Sequence, residues 1–110
     1  MLSGLEGKVA VVTGAAGGLG AASALRLSRE GCRVVVVDID SGGARKVATS
    51  LPGESIAVAA DVSREEDVDR YLNEATESFG RVDLHHLNAG IPGAWDFGAL
   101  DERTYGPART

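Results

Sequence analysis

Thr13-Gly14-Ala15-Ala16-Gly17-Gly18-Leu19-Gly20 follows a short apolar run at 9–12 and leads into a helical pattern. A strand that passes through glycines straight into a helix brings backbone N–H groups to the helix N-terminus. There, unpaired donors and the positive end of the helix dipole favour an anion such as a diphosphate. Side chains would obstruct that approach, so glycine suits the position; a tight turn needed for packing alone is the alternative reading. The stretch is not a Walker A loop, because Leu19 stands five after Gly14 and no Gly-Lys-Ser/Thr occurs in the chain. Nor is it the usual dinucleotide spacing, since Gly18-Leu19-Gly20 continues into Ala21-Ala22-Ser23.

Outward from this turn the apolar period alternates in a regular order. Segments 9–12, 34–37, 56–60 and 82–87 are short and largely apolar, as strands buried on both faces of a parallel sheet should be. Helical patterns lie between them. Leu19, Ala22, Leu25 and Leu27 precede Glu30-Gly31, and Ala44, Val47, Ala48 and Leu51 precede Pro52-Gly53. For the third helix, Ser63 and Glu66 form a capping-box pattern, Val68, Leu72, Ala75 and Phe79 form one stripe, and Gly80 ends the run. The order predicts three consecutive right-handed βαβ crossovers in one α/β domain over 1–110, an open, doubly wound parallel sheet. Beyond Gly90 the pattern dissolves into Ile91-Pro92-Gly93-Ala94-Trp95, with a short helical stretch at 101–105.

Composition narrows the function classes. The 110 residues carry 11 Lys+Arg against 16 Asp+Glu, a net charge of −5, and the acids are scattered. A nucleic-acid or anionic-membrane surface needs a basic patch, which is missing here. The longest clearly apolar run, 34–37, is far short of the roughly 20 residues that span a bilayer. With no charged segment and apolar stretch at Met1-Leu2-Ser3-Gly4, the expected location is cytoplasmic. Cys32 is the only cysteine, so an intrachain disulfide or multi-cysteine zinc site is excluded and a buried, inert thiol is expected. Glycine, 15 of 110, runs at about twice its average usage and points to turns and close backbone approaches.

Asp38 closes the second strand twenty residues after Gly18. An acid in that place accepts hydrogen bonds from adenosine ribose hydroxyls and repels a 2′-phosphate, which predicts NAD in preference to NADP. No Arg or Lys in the glycine turn or just after Asp38 reverses that sign. A solvated turn acid or a cap for the next helix is the other reading of Asp38, although Asp40 and Ser41 are equally placed to cap.

Together, Thr13-Gly14-x-x-x-Gly18-x-Gly20, Asp38, Asp61-Val62 after the third strand and Asn88-Ala89-Gly90 after the fourth resemble the short-chain dehydrogenase/reductase family, in its order and approximate spacing. The resemblance covers essentially the whole chain but only the family's N-terminal half, a Rossmann-like sheet cut off after about four strands. It implies that Gly14, Gly18, Leu19 and Gly20 line the pyrophosphate, Asp38 holds the ribose, and Asp61 with the Val62 backbone contacts the adenine. It places Asn88, Ala89 and Gly90 beside the cofactor. Read as structure alone, Asp61 ends a strand, Asn88 braces neighbouring loops and Gly90 is a turn.

The chain departs from the family where Leu87-Asn88, preceded by His85-His86, stands in place of two asparagines. Adjacent strand residues face opposite ways, so this histidine pair is not expected to chelate one metal; buried, hydrogen-bonded histidines are. The family's hydride transfer between an alcohol or carbonyl substrate and the nicotinamide uses a Ser and a Tyr with Lys four residues later. There the ammonium lowers the pKa of the tyrosine that gives or takes the substrate proton. Here the lysines are Lys8 and Lys46, Tyr71 is followed four later by Ala75 and Tyr105 by Arg109, with Pro107 between. The sequence therefore predicts the NAD-binding part of a longer oxidoreductase, inactive by itself, with an open sheet edge available for pairing. The alternative is a non-catalytic dinucleotide-binding module. Trp95 and Phe97 are offered either as substrate contacts or as cover for the sheet edge.

Overall fold

A computed structural model of the chain describes residues 3–88. The expectations for Ala89, Gly90, Trp95, Phe97, Tyr105, Arg109, the segment at 91–98 and the helix at 101–105 lie outside the described residues. After a short 3-10 turn at Ser3–Leu5 come β1 (Val9–Thr13), α1 (Gly18–Arg29), β2 (Arg33–Asp38), α2 (Ser41–Ser50), β3 (Ser55–Ala59), α3 (Glu65–Phe79) and β4 (Leu84–His86). The strands form one sheet in the order β3-β2-β1-β4, and every neighbouring pair is parallel.

The two-residue period of the strands divides the core in two. Ala10, Val12, Val34 and Val36 pack with Ala24 of α1 and with Ala44 and Ala48 of α2. Val9, Val11, Val35 and Val37 face the other way, onto Tyr71 and Ala75 of α3. With helices on both faces, β1 and the centre of β2 are buried along their length, which is why they read as unbroken valine-rich runs rather than alternating ones.

Three local expectations need correction. The buried face of α1 is Gly20, Ala24 and Ser28; Leu25 and Leu27 are half-buried against the core as expected, whereas Leu19 is 79% exposed and Ala22 is also exposed. Small residues spaced by four let the helix axis sit close to the sheet, a face that hydrophobicity alone does not reveal. The capping box at Ser63 and Glu66 does not form: Arg64 is the N-cap of α3, the Ser63 hydroxyl donates to Asp61 Oδ1 at 2.6 Å, and Glu66 pairs with Arg64. Finally, β4 is shorter than the apolar run at 82–87. Before it, the Asp83 carboxylate accepts from Val9 N and Arg81; after it, the Asn88 N–H donates to the Thr13 hydroxyl.

The remaining stops are as expected. Asp40 caps α2 by accepting from Gly43 N at 3.0 Å, and Gly80 ends α3 in the left-handed region. Cys32 is buried, and burial pushes its thiol pKa up, away from reactivity.

Candidate functional site

At β1 the strand order changes direction: β2 lies on one side and β4, the last of the four in sequence, on the other. Open parallel sheets bind ligands outside the strand C-termini at such a switch point. The glycine turn stands there, between Thr13 at the end of β1 and Gly18 at the start of α1.

Three of the four glycines of the turn have a reason of their own. Gly14 has φ +62°, and a Cβ on it would strike the Asn88 backbone carbonyl. Gly20 has no room either, because its Cβ would run into the Gly14 carbonyl. Gly18 has φ +59° with open space around it, and Gly17, the N-cap, faces open space too. No side chain caps α1, and the first bond of the helical ladder is Ala21 N to Gly17 O at 3.3 Å. The N–H groups of Gly18, Leu19 and Gly20 therefore have no acceptor within the helix, the condition for holding an oxyanion.

The turn is pinned from both sides. Toward β2, Ala15 N donates to Val37 O at 3.1 Å and Ala16 N to Asp38 Oδ2 at 2.9 Å. Toward β4, Asn88 Nδ2 donates to Gly14 O at 3.2 Å, while the buried Thr13 hydroxyl accepts from Asn88 N and donates to His86 O. Asn88 thus braces the turn, as its structural reading required. Asp38 is not the α2 cap, and its carboxylate is in use at the turn: Oδ1 accepts from Asp40 N at 2.9 Å. A carboxylate has about four acceptor positions, so the two bonds leave capacity for a diol.

Asp61 and Val62 follow β3 at the same edge, joined to the turn region through Ala60 N, which donates to Asp38 O at 3.0 Å. Asp61 shapes its own connection: Oδ1 accepts from both the Ser63 hydroxyl and Ser63 N, and its N–H donates to Asp67 Oδ2. Those Ser63 bonds hold its carboxyl below the ordinary aspartate range, so it is an anion and acceptor at neutral pH. Val62 is half-buried against the α3-side core.

The histidines separate by face. His85 Nε2 lies 2.8 Å from the Tyr71 hydroxyl, with the rings edge to face. His86 is exposed, contrary to the expectation of burial, and lines a groove of about 360 Å³ with Leu19, Ala22 and Arg26 of α1.

Sequence reasoning missed Ala16, whose backbone rather than side chain matters, and Gly43, where a Cβ would crowd Ala16 Cβ and the Asp40 carboxylate. It also missed Ile39, 72% exposed directly after Asp38. An exposed large aliphatic residue next to the ribose candidate was the one available signal, and Leu19 beside the glycines is its counterpart.

Comparison with known proteins places the chain in a family. The profile of the short chain dehydrogenase family matches residues 8–106. Meso-2,3-butanediol dehydrogenase of Serratia marcescens is 45% identical over 87 residues, covering 78% of this chain and 35% of that protein. Borneol dehydrogenase of Lavandula x intermedia is 43% identical over 90 residues, covering 82% and 34%. Among solved structures, the 3-ketoacyl-(acyl-carrier-protein) reductase of Brucella melitensis in complex with NADH superposes with a TM-score of 0.71 at 47% identity, covering 74% of this chain and 34% of that one. The chain spans about a third of the length of these relatives. Sheet order, glycine turn and profile match converge on one assignment: this chain belongs to the short chain dehydrogenase family.

Proposed function

We propose that the chain binds a nicotinamide dinucleotide, NAD in preference to NADP, and supplies the coenzyme-binding part of an oxidoreductase that moves hydride between an alcohol or carbonyl substrate and that coenzyme. The observation that carries the reading is the uncapped N-terminus of α1 standing one turn residue away from a carboxylate at the end of β2. The Gly18, Leu19 and Gly20 amides would hold the diphosphate, and Asp38 would take the adenosine ribose hydroxyls. The exposed Ile39, with Asp61 and Val62, would border the adenine, and Asn88, Ala89 and Gly90 would continue along the nicotinamide side. The coenzyme supplies the hydride chemistry when bound; this chain's part is to hold it and exclude the 2′-phosphate.

A charge-assisted hydrogen bond contributes about 1.5–3 kcal/mol, so NAD should bind at least about tenfold more tightly than NADP. Calorimetric titration of the chain with each coenzyme tests this. Asp38→Ala should weaken NAD more than NADP. Equal losses, or a wild-type preference for NADP, would refute the specificity; a folded chain that takes up neither coenzyme would refute the binding reading itself.

No Tyr in the 110 residues is followed by Lys at the fourth position, and on that ground we also propose that these residues alone do not turn over an alcohol. General acid–base help contributes typically 10²–10⁴ in rate, so NADH formation from secondary alcohols should stay at background. Saturable turnover by the purified chain would contradict this.

A further inference from the structure

We propose that Asp38 is the positioning residue of the glycine turn, so that its carboxylate governs diphosphate affinity as well as the choice of sugar. The inference rests on the nucleotide reading above and deepens it. Both carboxylate oxygens are anchored, Oδ2 by the Ala16 N–H and Oδ1 by the Asp40 N–H, each at 2.9 Å. This fixes the acid between the turn on one side and the entry to α2 on the other.

The bond to Ala16 completes a run of three consecutive anchors. Gly14 is held through its carbonyl by Asn88, Ala15 through its N–H by Val37 O, and Ala16 through its N–H by Asp38. The next residues, Gly17 and Gly18, meet nothing within 4 Å at their Cβ positions. The rigid half of the turn therefore aims the open half, and Asp38 is the last anchor before the amides offered to the ligand. Of these anchors it is the one made by a carboxylate, and hydrogen bonds to an ionised acceptor are roughly twice as strong as neutral ones. Gly43 tightens the unit: α2 approaches so closely that a side chain there would collide with Ala16 Cβ and the Asp40 carboxylate. Without the acceptor, the half-buried Ala16 N–H loses its partner and the peptide is free to rotate, misdirecting the amides that follow it.

The test uses the whole chain as wild type, Asp38→Ala and Asp38→Asn, titrated with inorganic pyrophosphate and with NAD, while amide hydrogen exchange is followed at Ala16 by NMR. Pyrophosphate has no ribose, so with a pure sugar ligand at position 38 its affinity in Asp38→Ala stays the same or rises as a repelling charge is removed. The expected result is a loss of pyrophosphate affinity of about three- to tenfold in Asp38→Ala, the range one net hydrogen bond covers, with faster exchange at Ala16. Asp38→Asn, which keeps one acceptor oxygen, should recover part of both. Unchanged or increased pyrophosphate affinity in a folded Asp38→Ala that has lost NAD would overturn the inference. If that variant does not fold, the wild type decides: a coupling across the hydrogen bond between the Ala16 amide nitrogen and the Asp38 carboxyl carbon upholds the anchor, and its absence overturns it. Should the wild type bind neither ligand, the nucleotide reading fails and the control of diphosphate affinity falls with it, whereas binding by the wild type with no change in Asp38→Ala overturns the inference alone.

Discussion

At Gly14 two constraints coincide that act singly at Gly18 and Gly20. Gly14 is in the left-handed region and has no room for a Cβ, Gly18 has only the positive φ, and Gly20 has only the crowding. A left-handed conformation costs a non-glycine residue about 1–2 kcal/mol, and forcing atoms into a packed site costs about 1–3 kcal/mol. Urea denaturation should therefore rank Gly14→Ala as the most damaging, at about 2–5 kcal/mol, with Gly18→Ala near 1 kcal/mol. Equal losses at the two positions would mean the turn is not held against Asn88. The Tyr71–His85 contact makes a second residue-scale case. Tyr71→Phe removes a hydroxyl 2.8 Å from His85 Nε2 in a buried setting, and should lower the unfolding free energy by about 1–2 kcal/mol. No loss would show the pair to be incidental. Position 38 stood out in the sequence as an acid at the end of a strand after a glycine turn, and its carboxylate does reach that turn. Ala16 was not, since a role carried by a backbone N–H leaves no mark on residue type.

Between elements, one clasp ties the start of β1 to the approach to β4. Asp83 accepts from Val9 N at 2.8 Å and from Arg81, and the Arg81 guanidinium is the main reason its carboxyl titrates at about 2 rather than 3.8. A carboxyl depressed by folding stabilises the native state fully above its unfolded pKa and loses that contribution as pH falls through the folded one. The contribution of Asp83 should hold above about pH 4 and vanish between there and about pH 2. Asp83→Asn should flatten the stability profile in that window; a profile that matches the wild type would exclude the clasp. Element boundaries were legible where glycine or proline stops a helix, as at Gly80 and Pro52-Gly53. They were misread at Ser63, because that hydroxyl is turned back to donate to the Asp61 carboxylate and the helix starts one residue later, with Arg64 as N-cap, a local arrangement that spacing does not reveal.

In the whole molecule, unbroken valine-rich runs made the two-faced sheet readable, while the order β3-β2-β1-β4 depends on pairings distant in sequence that no local pattern encodes. The face of α1 was misassigned in part for a related reason: Leu25 and Leu27 do pack against the core, but Leu19 and Ala22 are exposed and the fully buried face is the small residues Gly20, Ala24 and Ser28. Ala24→Leu should cost about 1–3 kcal/mol by forcing α1 off the sheet, and Leu19→Ala should change the urea midpoint little, within about 0.5 kcal/mol. The reverse ranking would restore the leucine stripe as the packed face.

The bracket that Asn88 closes on Gly14 joins residues 74 apart in sequence. Loop-closure entropy makes such distant contacts slow to form, so a chain emerging from the ribosome exposes its glycine turn long before the residue that shapes it exists. On the proposed reading, coenzyme capture would be tied to the arrival of the fourth strand, since early half-folded species have no finished crevice to offer.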